Sequence, residues 1–120
     1  MEMVTEKIGE VSVVTLLADY LDVGNCNDFR NEMTPLLAGC NKVVLDFDKV
    51  QFVDSRGCGA IISCLKHVSA ARGDLKLCCV RREVRTVFEL IRLHRICEIF
   101  PTRDEAVRAF EKWVPPDSMK

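Results

Sequence analysis

A single α/β domain with a mixed, mostly parallel sheet is what this 120-residue sequence predicts, on three observations. After an opening pair of β-branched runs, short apolar runs alternate with stretches of 3.6-residue apolar period, the order that builds a helix-covered parallel sheet. Val43-Val44-Leu45 are consecutive apolar residues, as in a strand covered on both faces. The length suits one domain able to bury roughly two-thirds of its unfolded surface. The expected architecture carries an N-terminal antiparallel hairpin and about four helices. It spans residues 1–114, with a short polar tail at 115–120.

Met3 to Ile8 and Val11 to Leu17 are the two β-branched runs, and Gly9-Glu10 between them signals a hairpin. "DYLDVGN" reads as a polar loop. Asn25 is placed to cap a helix whose apolar positions are Phe29, Met33, Leu36 and Leu37. Pro35 removes a backbone donor, so it kinks that helix or marks its last turns, and Gly39 is the stop. Lys42 to Phe47 is the doubly covered strand. After Ser55, the residues Cys58, Ile61, Ile62 and Leu65 fall at i, i+3, i+4 and i+7, a helix ending near Arg72-Gly73. Leu75 to Val80 reads as another buried strand, Val84, Val87, Phe88 and Ile91 as a third helix, and "ICEIF" as a short last strand. Thr102 and Glu105 form a capping box opening a final helix with Ala106, Phe110 and Trp113 on its buried stripe, stopped by Pro115-Pro116. The resulting order is β-β-α-β-α-β-α-β-α.

Composition narrows the function. Apolar content of 48% and charged content of 29% are those of an ordinary globular domain, not a disordered one. A net charge of −1 argues against phosphate-driven nucleic-acid binding. Arg81, Arg82, Arg85, Arg92 and Arg95 lack interleaved stacking aromatics and read as a solvated helix face. No apolar run approaches the roughly 20 residues that cross a bilayer. The acidic, strand-like N-terminus is unlike a secretory signal. No membrane partner and a cytoplasmic location are therefore expected. Seven cysteines, an odd number without a CxxC, read as reduced thiols acting as small hydrophobes. Cys78-Cys79 are expected mid-strand and inert. His67 and His94 stand apart, so no metal set and no cofactor are expected. Val53 occupies a position where a nucleophile elbow needs glycine, and Gly57-x-Gly59 lacks the rest of a dinucleotide fingerprint. No catalytic residue is assigned.

Chemistry in such sheets gathers beyond the carboxyl ends of the strands. Two acidic segments follow strands, "DYLDVGN" and "DFDKVQFVDS", and could bring Asp19, Asp22, Asp48 and Asp54 around Ser55. Ser55 has two readings. As an N-cap, its hydroxyl would accept a backbone amide hydrogen, worth about 1 kcal/mol. As a phosphoacceptor, it would gain a charge of roughly −1.5 to −2 at a helix start, where the dipole welcomes an anion and the aspartates repel it. Spacing alone favours the cap. Gly57 and Gly59 weaken the helix but leave its backbone near anything docking on this corner.

"DFDKVQFVDSRGCG", the helix, strand and helix after it, and the earlier "ADYLDVGNCNDF" resemble the STAS domain, most closely the stand-alone bacterial anti-sigma factor antagonists. The resemblance spans nearly the whole chain. It implies that Ser55 is the phosphorylated serine and that Asp22 is the loop aspartate helping a kinase engage it. It implies a partner-binding corner of Asp22, Asp54, Ser55, Arg56, Gly57, Cys58 and Gly59. The implied partner is an anti-sigma factor that is itself a serine kinase, with a serine phosphatase reversing the switch. Arg56 stands where the family usually has serine or threonine, and could pair with a phosphate on Ser55. Cys58 stands in place of a leucine. Two other readings are a scaffold STAS module of a signalling assembly, with Ser55 unmodified, and a small-ligand-binding domain using the acidic corner. Self-association is left open.

Overall fold

Strands β1 (Met3–Ile8) and β2 (Val11–Leu16) form the expected hairpin, with Met3 opposite Leu16 and Ile8 opposite Val11. The computed structural model describes residues 1–115, so the tail expected at 115–120 lies, beyond Pro115, outside the described residues. β2 pairs in parallel with β4 (Lys42–Asp46), β4 with β6 (Asp74–Cys78), and β6 with β7 (Ile99–Phe100). The five-stranded order is β1-β2-β4-β6-β7. Each parallel step passes through a helix: α1 (Cys26–Gly39), α2 (Ser55–Ala70) and α3 (Arg82–Leu90). Successive right-handed crossovers stepping one way along a sheet put their helices on the same face. The last helix, α4 (Arg103–Ala109), covers the other face.

Strand alternation divides the core accordingly. Val43, Leu45, Leu75 and Leu77 pack with Phe29, Met33, Ile61, Val68 and Phe88 beneath the three crossover helices. Val11, Val13, Val44 and Cys78 pack with Ala106 and Phe110 beneath α4. Lys76 is buried on that second face. Its ammonium bonds Asp74 at 3.0 Å and Glu98, and lies 4.8 Å from the Phe110 ring centroid, so charge and aromatic face replace water. No helix among the described residues is long and apolar enough to cross a membrane.

Several local expectations change. "DYLDVGN" is not all loop: Tyr20–Leu21 forms a strand, β3, paired in parallel with a second short strand, β5 (Phe52–Val53). Leu21 and Val53 are buried, and each loop satisfies the other's backbone polar groups, which buried chain requires. Asn25 holds the N-cap position of α1 without capping it. Its side chain turns back, accepting from the Asp22 amide at 2.9 Å and donating to the Tyr20 carbonyl at 2.9 Å. Pro35 lies exposed inside α1, which continues to Gly39; Asn31, whose carbonyl loses its helical donor, is an exposed residue too. α2 stops at Ala70. Arg72 takes the left-handed conformation (φ 63°), with the Gly73 amide on the Val68 carbonyl at 2.7 Å and the Arg72 amide on Ser69 at 3.0 Å. Gly73 serves a close approach instead, since a Cβ there would stand 2.0 Å from the Asn41 carbonyl oxygen.

β6 ends at Cys78 rather than Val80. Cys79 is therefore not mid-strand: it is half-buried past the strand end, at φ 60°. α3 ends at Leu90, leaving Ile91 exposed, and Arg92 (φ 62°) leads into a short 3₁₀ turn at Leu93–Arg95. Thr102 accepts from the Glu105 amide at 3.1 Å, the first half of the expected box. Trp113 lies beyond α4 and meets Phe110 edge-on at 5.9 Å between ring centroids.

Candidate functional site

The β3–β5 ribbon brings the two acidic segments to one corner, where α2 begins. The Gln51 and Phe52 amides donate to the Asp19 carbonyl at 2.6 and 3.2 Å, and the Asp54 amide donates to the Leu21 carbonyl at 3.3 Å. Side chains on the ribbon alternate. Leu21 and Val53 point inward, while Tyr20 and Phe52 sit opposite each other on the outside, 46% and 54% exposed. Val23, in the next loop, is 62% exposed. These three outward apolar residues were missed in the sequence because they look incidental inside acidic loops. No sequence signal marks them, since strands of two residues carry no period.

Asp54, not Ser55, caps α2. Its backbone is extended (φ −102°, ψ −175°), and Oδ1 accepts from the Gly57 amide at 2.8 Å, the N3 donor a cap should reach. Its Oδ2 accepts from the Val23 amide at 3.0 Å, so one carboxylate caps the helix and clasps the neighbouring loop. The Gly57 amide, with those of Val23 and Arg56 and the Arg56 charge, holds the Asp54 carboxyl below its ordinary range, against the opposing effect of burial.

Ser55 is thus the first helical residue. It is exposed, and its hydroxyl bonds to no described residue. Arg56 beside it is also exposed. Asp22 is half-buried and shapes the loop: Oδ1 accepts from Gly24 at 2.8 Å, and its carbonyl accepts from Asn25 and Cys26 at 3.2 and 2.8 Å.

Two expected docking residues face inward. Gly57 is buried, and a Cβ there would stand 2.1 Å from the Leu21 carbonyl oxygen; the glycine lets α2 rest on β3. Cys58 is buried, and desolvation, then the Asp54 charge, pushes its thiol to about 11. Gly59 is half-buried and has room, with only Arg30 Nη2 within reach of a Cβ, at 3.6 Å. Of the other aspartates, Asp19 joins the ribbon through its carbonyl. Asp48 belongs to the turn after β4, its amide on Asp46 Oδ1 and its carbonyl holding Arg81 Nε, both at 2.9 Å.

The corner therefore combines a hydroxyl unengaged among the described residues, flanking charges of both signs, and the exposed apolar side chains of Tyr20, Val23 and Phe52. An approaching enzyme can reach such a hydroxyl, and a dianion installed there would sit by the amide end of α2, drawn by Arg56 and repelled by Asp54.

Comparison with known proteins agrees with this architecture. Residues 2–106 match the family model of the STAS domain. A protein of Bordetella bronchiseptica, provisionally named an anti-sigma factor antagonist, is 25% identical over 116 residues, covering 96% of this chain and 99% of its own. A similarly named protein of Thermotoga neapolitana is 31% identical over 103 residues, covering 84% of this chain and 91% of its own. The crystal structure of a Thermotoga maritima protein with the same provisional name superposes with a TM-score of 0.82 at 27% identity, over 92% of this chain and 95% of that one.

Proposed function

The chain belongs to the STAS domain family, and on that premise we propose that it is an anti-sigma factor antagonist whose docking corner is switched by phosphorylation of Ser55. The observation that carries this reading is the exposed Ser55 hydroxyl, unbonded among the described residues, on the first turn of α2, which follows directly from the ribbon and loop that expose Tyr20, Phe52 and Val23. In the unmodified state these apolar side chains and the neutral hydroxyl seat an anti-sigma factor, which releases its sigma factor to transcription. Asp22, Asp54, Ser55, Arg56 and Gly59 form the polar part of the contact; Gly57 and Cys58 support it from below.

The partner acts as a serine kinase. The γ-phosphoryl of ATP passes to Ser55 Oγ, ADP leaves, and the hydroxyl proton goes to solvent. The new dianion lies in a surface matched to a neutral group and next to Asp54, which penalises redocking. A change of about 3 kcal/mol is a hundredfold or more in affinity, enough for a switch. Arg56 offsets part of that repulsion, and Arg56→Ala sharpens it. A serine phosphatase restores the binding form. The domain itself is substrate and competitor rather than catalyst, and it acts in the cytoplasm, where the transcription machinery is.

Intact-mass measurement after incubation with the anti-sigma kinase and ATP tests the reading. One phosphoryl adduct per chain is expected, absent in Ser55→Ala, with about hundredfold weaker binding of the modified protein. An unmodified chain, or an adduct that persists in Ser55→Ala, overturns the switch.

A further inference from the structure

Beneath α4, on the face of the sheet away from α2, lies a cluster that the docking corner does not use. Asp46 and Cys78 end β4 and β6 and are direct partners across that parallel pair. By strand alternation both side chains face α4, while Leu45 and Leu77 enter the other core. The next residue, Cys79, would ordinarily point to the opposite face. Its left-handed backbone, with the amide on the Phe100 carbonyl at 3.2 Å, returns its thiol to the same side. Both Sγ atoms and a carboxylate oxygen of Asp46 lie within 4.8 Å of one another. Asp46 and Cys78 are buried and Cys79 is half-buried, so one side of the cluster meets solvent.

The carboxylate is held from outside the cluster. Asp46 Oδ2 accepts from Arg103 Nε and Nη2 at 3.1 and 2.8 Å, and Oδ1 accepts from the Asp48 amide at 2.9 Å. Arg103 also donates to Glu6 and to the Thr15 hydroxyl. Outer partners of this kind orient metal-binding carboxylates.

We propose that Asp46, Cys78 and Cys79 form a site for one thiophilic divalent cation of the zinc class, with Arg103 orienting the carboxylate and water on the open side. Two sulfur donors select a borderline-soft ion over magnesium or calcium. Two thiolates and one carboxylate are balanced by a divalent ion and Arg103, with Glu6 adding one negative charge on the exposed arm of that arginine. Donors around tetrahedral zinc stand about 3.8 Å apart, so side-chain rotations of about 1 Å close it. Binding breaks two S–H bonds, forms two metal–sulfur bonds and releases two protons to solvent, with no change of oxidation state. Sequence spacing hides the set because its third donor comes from another strand. The site is independent of the function proposed for Ser55.

Cadmium is the probe, titrated into the full reduced chain while the ultraviolet thiolate-to-metal charge-transfer band is followed. A band saturating at one equivalent is expected, lost in Cys79→Ser and kept in Cys40→Ser, which alters a half-buried free thiol just past α1, with a melting temperature that cadmium raises in the unaltered and Cys40→Ser proteins only. On the unaltered chain, cadmium should slow alkylation of Cys79 at least tenfold and leave Cys40 unaffected, a readout that needs no variant to fold. Absence of a saturable band, a band surviving Cys79→Ser, or unprotected Cys79 overturns the proposal.

Discussion

Asp54 uses its two carboxylate oxygens on two different elements, the start of α2 and the loop at Val23. Ser55, its neighbour, uses its hydroxyl on neither. Asp54→Ala should therefore destabilise by about 1–2 kcal/mol, whereas Ser55→Ala should stay within about 0.5 kcal/mol. Urea unfolding of the two variants checks this. Because the folded state holds the Asp54 carboxyl below its ordinary range, its contribution is complete at neutral pH. It fades as pH falls from the ordinary carboxylate range through the lowered one, so the gap between wild type and Asp54→Ala should close in acid. Position Ser55 was legible in the sequence as a helix mouth. Which of two adjacent good capping residues did the capping was not, since that depends on where the backbone turns from extended to helical.

α2 meets the β3–β5 ribbon through the bare backbone of Gly57, and this contact fixes the height of Ser55 above the ribbon. Two glycines one residue apart consequently differ. Gly57→Ala drives a methyl group against the Leu21 carbonyl and should cost about 3 kcal/mol, with loss of partner binding as the corner shifts. Gly59→Ala meets only an ordinary contact and should raise stability by about 0.5–1 kcal/mol through helix propensity. Thermal melts of both variants suffice, and equal effects would break the argument. Both glycines looked alike in the sequence, as weak points in a helix near a docking surface. The ribbon itself was illegible because two-residue strands have no period to read; their pairing comes from loops that are distant along the chain.

Arg103 ties the outer layer together, joining α4 to Glu6 on β1, Thr15 on β2 and Asp46 on β4. The Asp46 side chain is only 6% exposed, so Arg103→Ala strands a buried carboxylate and should cost about 3 kcal/mol. Glu6→Ala removes only the exposed arm and should cost less than about 1 kcal/mol. Equilibrium unfolding of the pair separates a buried tether from a surface one. The α/β order, the hairpin, the doubly covered strands and the four helices were determined by the amino-acid sequence alone, because apolar periodicity is a local property that each segment carries with it. Tertiary structure alone decided that Asp54 caps α2, that Tyr20 and Phe52 stand together outside, that Gly57 rests against the Leu21 carbonyl, and that Cys79 turns back to Cys78 and Asp46. Each of these depends on which distant backbone arrives alongside, and no periodicity within a single segment records its neighbour.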